Sequence, residues 1–164
     1  MPSLLQNAID LAVRAHRKSE DPPGEPYIVH PMRVLLALSQ SDDAHQHEHL
    51  RCVAILHDTL ERTKLTAADL KAAGMPRAVV RAVQLLTHDA GTRYVDYVIK
   101  LKPDLLARAV KIADLLDNAD LRRITYRPEK AKDRKRVNRY AASYKFLTDQ
   151  IDENAFRRIM KYGE

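Results

Sequence analysis

Four residues in this chain have the types and settings to hold a cation. His57 and Asp58 stand side by side at the end of the apolar run Cys52-Val53-Ala54-Ile55-Leu56. Asp114 interrupts a second apolar stretch formed by Val110, Ile112, Ala113, Leu115 and Leu116. A carboxylate carried into apolar surroundings loses its hydration and needs compensation. A cation shared between the two segments would compensate both acids, with His30 from a third segment, Tyr27-Ile28-Val29-His30-Pro31, completing the set. Two imidazoles and two carboxylates suit Mn²⁺, Fe²⁺ or Zn²⁺ better than an all-oxygen Ca²⁺ site. Two carboxylates cancel a divalent charge, and such an ion activates water and polarises a phosphoryl oxygen. The residues alone leave a second reading open. A histidine on an apolar face is commonly a hydrogen-bonded core residue, and no spacing here is as diagnostic as paired Cys-x-x-Cys motifs.

Helices must bring these side chains together. Leu5, Ile9, Val13 and His16 step along one face of a first helix, which the segment from Asp21 to Pro26 breaks. Pro31 opens a second helix carrying Val34, Leu35 and Leu38, since proline is tolerated in a first turn. Ser41-Asp42-Asp43 reads as a turn, and a third helix is expected from about His45 to about Arg62. On it, Glu61 lies four residues after His57 and three after Asp58, on the same face. Thr66-Ala67-Ala68-Asp69 predicts a capping box. Gly74 ends that short helix, and Pro76 opens the next, with Val79, Val83 and Leu86 on one face. Beyond Gly91, a short helix covers Tyr94 to Leu101, and Pro103-Asp104 begins another reaching about Ile124. Pro128 opens the last long helix, with the ladder Val137, Tyr140, Ala141, Tyr144 and Leu147, and a final turn or helix holds Phe156 and Ile159. No run alternates as a strand. The expectation is an all-α bundle of antiparallel helices, a single domain over residues 1–164.

Composition narrows the partners. Hydrophobic residues are 45% and charged residues 30%, an ordinary globular balance. The N-terminal segment does not read as a signal peptide, and no stretch is apolar enough to span a bilayer, so the cytoplasm is the expected compartment and a membrane is not an expected partner. The single cysteine, Cys52, excludes an internal disulfide framework and reads as a small core residue. A net charge of +6 and a pI near 9.5 favour an anionic ligand. With no Trp and two Phe there is no obvious base-stacking platform, and Glu129 and Asp133 interrupt the basic run from Arg122 to Arg139. These features argue against nucleic acid, and the charge itself does not choose among the remaining anionic ligands, a small anionic nucleotide among them. The basic run is read as a solvated face or part of the mouth of an anion site. Asn118, one turn after Asp114, can offer a hydrogen bond to a base or ribose. His45, His47 and His49 read as a solvated helix end, His88 as polar surface, and His16 as a satisfied core histidine.

Several motifs together carry a resemblance. Ala15-His16, then Gly24-Glu25-Pro26-Tyr27-Ile28-Val29-His30-Pro31, then Ala54-Ile55-Leu56-His57-Asp58-Thr59-Leu60-Glu61, then Val110-Lys111-Ile112-Ala113-Asp114 with Asn118, resemble the HD hydrolase domain of RelA/SpoT-type proteins and the small alarmone hydrolases. The resemblance implies an all-helical HD fold and one divalent metal, often manganese, on His30, His57, Asp58 and Asp114. It implies removal of the 3′-pyrophosphate from (p)ppGpp, with Glu61 orienting or deprotonating the attacking water and Arg17 and Lys18 contacting the substrate. It also covers nearly the whole length, so no synthetase segment is expected. Three departures stand out. The family's Glu-Asp couple is here Glu61-Arg62, which puts Arg62 in the catalytic position of the second acid. The family's Ala-Asp-Arg-Leu-His-Asn is here Ala113-Asp114-Leu115-Leu116-Asp117-Asn118. The basic pair that usually lies just before Gly-Glu-Pro is displaced, since Glu20-Asp21-Pro22-Pro23 separates Arg17-Lys18 from it.

Overall fold

The computed structural model describes residues 3–20, 25–38, 44–120 and 131–163. Within them the chain forms ten α-helices: α1 (Leu4–Ala15), α2 (Val29–Leu36), α3 (Ala44–Leu56), α4 (Thr59–Arg62), α5 (Ala67–Ala72), α6 (Arg77–Leu86), α7 (Tyr94–Leu101), α8 (Leu105–Asn118), α9 (Ala131–Leu147) and α10 (Glu153–Gly163). The described residues contain no strand; one isolated bridge joins Glu20 and Pro26. The fold is all-α, as the periodicity predicts. No described helix is long and apolar enough to cross a membrane.

Local chemistry sets most of the boundaries. Ser3 and Gln6 close a capping box on α1, and Thr66 and Asp69 close the predicted one on α5. Gly74 ends α5 at φ +83°, a left-handed conformation that glycine adopts without a side-chain clash. Pro31 falls in the first turn of α2, where its missing N–H costs nothing. The Asp104 side chain accepts from the Ala107 N–H and caps α8, which ends at Asn118 rather than near Ile124. The turn from Ser41 to Asp43, the start at Pro128 and most of the Asp21–Pro26 loop lie outside the described residues.

α3 is the central helix, packed by α1, α2, α6 and α8. One apolar cluster runs through the bundle, with Ala12, Val34, Cys52, Leu70, Val83, Val98, Val110, Leu147 and Phe156 all fully buried. Phe156 stacks on Phe146 with ring centroids 4.6 Å apart, tying α10 to α9. Two faces differ from the sequence reading. α1 buries Ala8 and Ala12 while Val13 is exposed, because close approach to α3 selects the small residues. α9 buries Ala142, Ser143, Phe146 and Leu147 and leaves Val137 and Ala141 exposed. Tyr140 packs against the core and also lines a cavity.

Candidate metal centre and active site

The predicted third helix is interrupted where its chemistry begins. α3 stops at Leu56 and α4 starts at Thr59, with His57 and Asp58 between them. The His57 Nδ1–H donates to the Ala54 carbonyl (2.8 Å) and the Thr59 hydroxyl to the Leu56 carbonyl (2.7 Å). These side chains take carbonyls that a continuous helix would return to its own N–H groups. The break turns both His57 and Asp58 toward α2 and α8.

All four sequence-derived ligand candidates meet there. His30 Nε2 lies 3.3 Å from Asp114 Oδ1 and 3.8 Å from Asp58 Oδ2. His57 Nε2 lies 3.4 Å from Asp58 Oδ1 and 3.8 Å from Asp114 Oδ1. One ligand atom each from His30, His57 and Asp114, all buried, fall within 4.8 Å of one another; among the described residues no other such group occurs. Asp58 sits beside them, an oxygen toward each histidine.

The donor set fits a divalent cation. His57 Nδ1 is committed to a carbonyl, so Nε2 presents its lone pair, and that atom is buried without a hydrogen-bond partner among the described residues. His30 Nδ1 lies 2.7 Å from Asp117 Oδ2, which draws the ring proton to Nδ1 and turns Nε2 inward as a lone pair once a cation replaces its proton. Arg33 Nε holds the other oxygen of Asp117 at 2.8 Å. In the absence of metal, burial opposes charge on His30, but Asp114 and Asp117 outweigh it and raise its pKa. Burial likewise opposes ionisation of Asp114, yet Lys111 and the two histidines hold it well below the usual carboxylate range. Asp58 is also lowered: burial is overcome by His57, the Tyr27 hydroxyl and His30. Both acids are thus ionised and ready to bind a cation.

Several supporting residues carry no function in the sequence reading. The Tyr27 hydroxyl donates to Asp58 Oδ2. Burial first, and Asp58 next, push the Tyr27 phenol far above its ordinary value, keeping it a donor. Lys111 Nζ pairs with Asp114 Oδ2 at 2.8 Å. The signals for these were local: Tyr27 precedes His30 by one turn, and Lys111 and Asp117 flank Asp114 at three residues on either side.

The centre opens into a cavity of about 270 Å³. It is lined by the four ligand candidates with Tyr27, Glu61 and Arg62, and by His88, Tyr94, Tyr97, Lys111, Arg136, Arg139 and Tyr140. Hollows of about 650 and 400 Å³ lie elsewhere, but the described metal-ligand group is in neither. Glu61 Oε2 accepts the His88 backbone N–H at 3.0 Å, so its carboxylate is held at the wall and not against the ligands. Arg62 Nε lies 3.3 Å from Asp58 Oδ2, with its guanidinium 4.7 Å over the Tyr27 ring. Asn118 lines the cavity too, but its amide donates to Asp114 Oδ1 at 2.6 Å. Arg17 and Lys18 are exposed in the turn after α1 and do not line the cavity.

Four histidines read differently from the sequence expectation. His88 is half-buried and structured rather than free polar surface: its Nε2–H donates to the Thr92 carbonyl (2.8 Å) and its ring packs on Tyr94 and Tyr97. His16 is buried as expected but not satisfied, because neither ring nitrogen has a partner among the described residues. Its ring packs on Tyr27 at 4.8 Å, and burial lowers its pKa, keeping it neutral. His47 and His49 lie half-buried on α3 and enter no ligand group among the described residues; the side chain of His45 lies outside them.

An all-helical bundle that converges two histidines and two aspartates from three helical segments defines the HD class of metal-site folds. No family profile matches the chain. Danio rerio MESH1, a guanosine-3′,5′-bis(diphosphate) 3′-pyrophosphohydrolase, is 33% identical over 131 residues, covering 75% of this chain and 72% of that protein. The Aquifex aeolicus guanosine-3′,5′-bis(diphosphate) 3′-pyrophosphohydrolase is 30% identical over 136 residues, and the probable enzyme of Mycoplasma pneumoniae 26% over 132. The matches span only 19% and 18% of those two longer relatives. A solved structure of a metazoan SpoT ortholog that hydrolyses ppGpp superposes with a TM-score of 0.71 at 23% identity, covering 99% of this chain and 95% of that one, and shares the fold. The chain belongs to the guanosine-3′,5′-bis(diphosphate) 3′-pyrophosphohydrolase family.

Proposed function

We propose that this chain is a metal-dependent phosphohydrolase of a phosphorylated nucleotide, and in its specific form a guanosine-3′,5′-bis(diphosphate) 3′-pyrophosphohydrolase acting in the cytoplasm. The observation that carries the reading is the convergence of the His30 and His57 Nε2 atoms on Asp58 and Asp114, with each Nδ1 engaged behind them. His30, His57, Asp58 and Asp114 would hold the ion, which supplies Lewis-acid activation of water and charge stabilisation at phosphorus. The mixed nitrogen and oxygen set favours Mn²⁺, with Fe²⁺ or Zn²⁺ as alternatives.

The chain's own residues supply the rest. The Glu61 carboxylate, fixed by the His88 N–H, is the acceptor that orients and deprotonates the attacking water. Four cationic side chains line the cavity against three carboxylates, a surplus that suits a polyanionic substrate. Arg62, paired with Asp58, is charged at any ordinary pH and so cannot act as a base. Its part is to meet a phosphate oxygen at the cavity wall. Asn118 supports Asp114 and borders the nucleotide, while Arg17 and Lys18 would reach the substrate from outside the cavity lining. The deciding experiment is phosphate and pyrophosphate release from a nucleotide panel containing ppGpp, with Mn²⁺, Fe²⁺ and Zn²⁺ varied. Metal-dependent release from ppGpp supports the reading. Metal retention with no release from any nucleotide would instead support a binding module, which the Arg62–Asp58 pair in place of a second acid favours.

A further inference from the structure

Glu61 stands on α4, a helix of four residues, and is exposed. Among the described residues its carboxylate makes one hydrogen bond, accepting the His88 backbone N–H at 3.0 Å. Holding a glutamate in one place removes much of its side-chain freedom, and that single charge-assisted bond must offset the loss. It does so only if the N–H is itself held still. His88 belongs to neither neighbouring helix: α6 ends at Leu86 and α7 begins at Tyr94, with irregular backbone between them. Such connections are ordinarily the more mobile parts of a fold. Here the His88 side chain supplies the restraint. Its Nε2–H crosses the loop to the Thr92 carbonyl at 2.8 Å. Its ring meets Tyr94 edge-on at 5.7 Å and lies tilted against Tyr97 at 4.9 Å, centroid to centroid. Tyr97 is anchored in turn, its hydroxyl donating to the Leu86 carbonyl at 2.7 Å. The exposed tip of the loop is fastened by Asp89, whose side chain accepts the Gly91 N–H at 3.1 Å and whose carbonyl accepts the Thr92 N–H at 2.9 Å. One residue thus joins two tasks: its N–H holds the carboxylate, and its imidazole holds its own main chain.

We propose that His88 is a positioning residue for the hydrolytic step: its imidazole clamps the loop between α6 and α7, so that its N–H aligns the Glu61 carboxylate. The proposal rests on the phosphohydrolase reading and deepens it. Both residues line the cavity, yet the clamp asks no contact with substrate from His88, because it acts through Glu61. Its loss should therefore lower the rate of the chemical step and leave substrate binding as it was. The sequence places no acid or base of the motifs at position 88, and the function comes from the tether to Thr92 and from the rings of α7.

The test takes two readings on the full chain: steady-state hydrolysis of ppGpp with Mn²⁺, and hydrogen exchange of the amide at position 88 by NMR with Zn²⁺, which needs no turnover. His88→Phe keeps a ring against Tyr94 and Tyr97 and removes the donor to Thr92. It should lower kcat by ~10- to 100-fold, the scale on which a misplaced catalytic group slows a reaction. KM should stay unchanged, and the amide at position 88 should exchange faster. His88→Leu also lacks the donor and carries the same expectations if Phe is not accommodated. His88→Gln, whose amide reaches toward the same carbonyl, should recover part of both readings. In a Glu61→Gln background, His88→Phe should cost nothing further in kcat, as a group acting through that carboxylate requires. A folded His88→Phe or His88→Leu protein with unchanged kcat overturns the proposal. So does a loss that persists in full beside Glu61→Gln, or an exchange rate that the substitutions leave unaltered. Failure of the hydrolase reading is separate: the unmodified protein then releases nothing from ppGpp, and the exchange rates still decide whether the imidazole holds the loop.

Discussion

Asp117 orients the His30 imidazole, and its effect on metal affinity can be worked from the geometry. Its Oδ2 lies 2.7 Å from His30 Nδ1, and its side chain is only 8% exposed. Arg33 steadies the other oxygen at 2.8 Å. This carboxylate selects the His30 tautomer, orients the ring and makes Nε2 a better donor. Removing such a partner commonly costs ~10- to 100-fold in metal affinity, which is about 1.4 to 2.7 kcal/mol. The charge and burial of Asp117 place the expected loss for Asp117→Ala near the upper end. Asp117→Asn keeps an oxygen able to accept the Nδ1–H and should lose less. Competition with a fluorescent chelator, using Mn²⁺ and Zn²⁺ in turn, measures both variants against the unmodified chain. Unchanged affinity in a folded Asp117→Ala protein would refute the argument that His30 binds through Nε2 under the control of this carboxylate.

Other expectations follow from the same geometry. Glu61→Gln keeps the shape and removes the base, so turnover should fall by ~10²-fold or more with metal content unchanged; equal activity would exclude Glu61 as the base. Arg62→Ala should raise KM for the phosphorylated substrate, whereas faster ppGpp release by Arg62→Asp would show instead that the missing second acid limits the rate. Burial pushes the Cys52 thiol up to about 12, so at pH 8 the native protein should resist iodoacetamide and react only after unfolding. Rapid native labelling would contradict the buried placement. Phe156→Ala removes the ring stacked on Phe146 and should cost about 3–5 kcal/mol in denaturant unfolding; a loss under ~1 kcal/mol would mean that α10 contributes little to the core.

What the sequence made legible tracks what is local. The helices, the Thr66 cap, the stop at Gly74 and the α7 boundaries depend on neighbouring residues, and periodicity and cap chemistry reach that far. The ligand candidates were legible because charged groups in apolar runs violate the pattern around them. The rest of the cavity lining was not. Tyr94, Tyr97 and Arg139 come from α7 and α9, and nothing within either helix marks them as facing a common cavity. Tyr140 illustrates the difficulty: its ring packs against the core as the ladder predicts, yet it also lines the cavity, which periodicity does not mark. The break at His57 was hidden for a similar reason. Both residues tolerate a helix, and only the competing hydrogen bonds to Ala54 and Leu56 end it.

The two imidazoles differ in what lies behind them, and the difference bears on how such a site changes over generations. His57 is oriented by the Ala54 carbonyl, a main-chain atom that every residue at position 54 would present. His30 is oriented by Asp117, a side chain that one codon change can remove. Drift in ion preference should therefore enter through the His30 side of the centre while the His57 side stays constant.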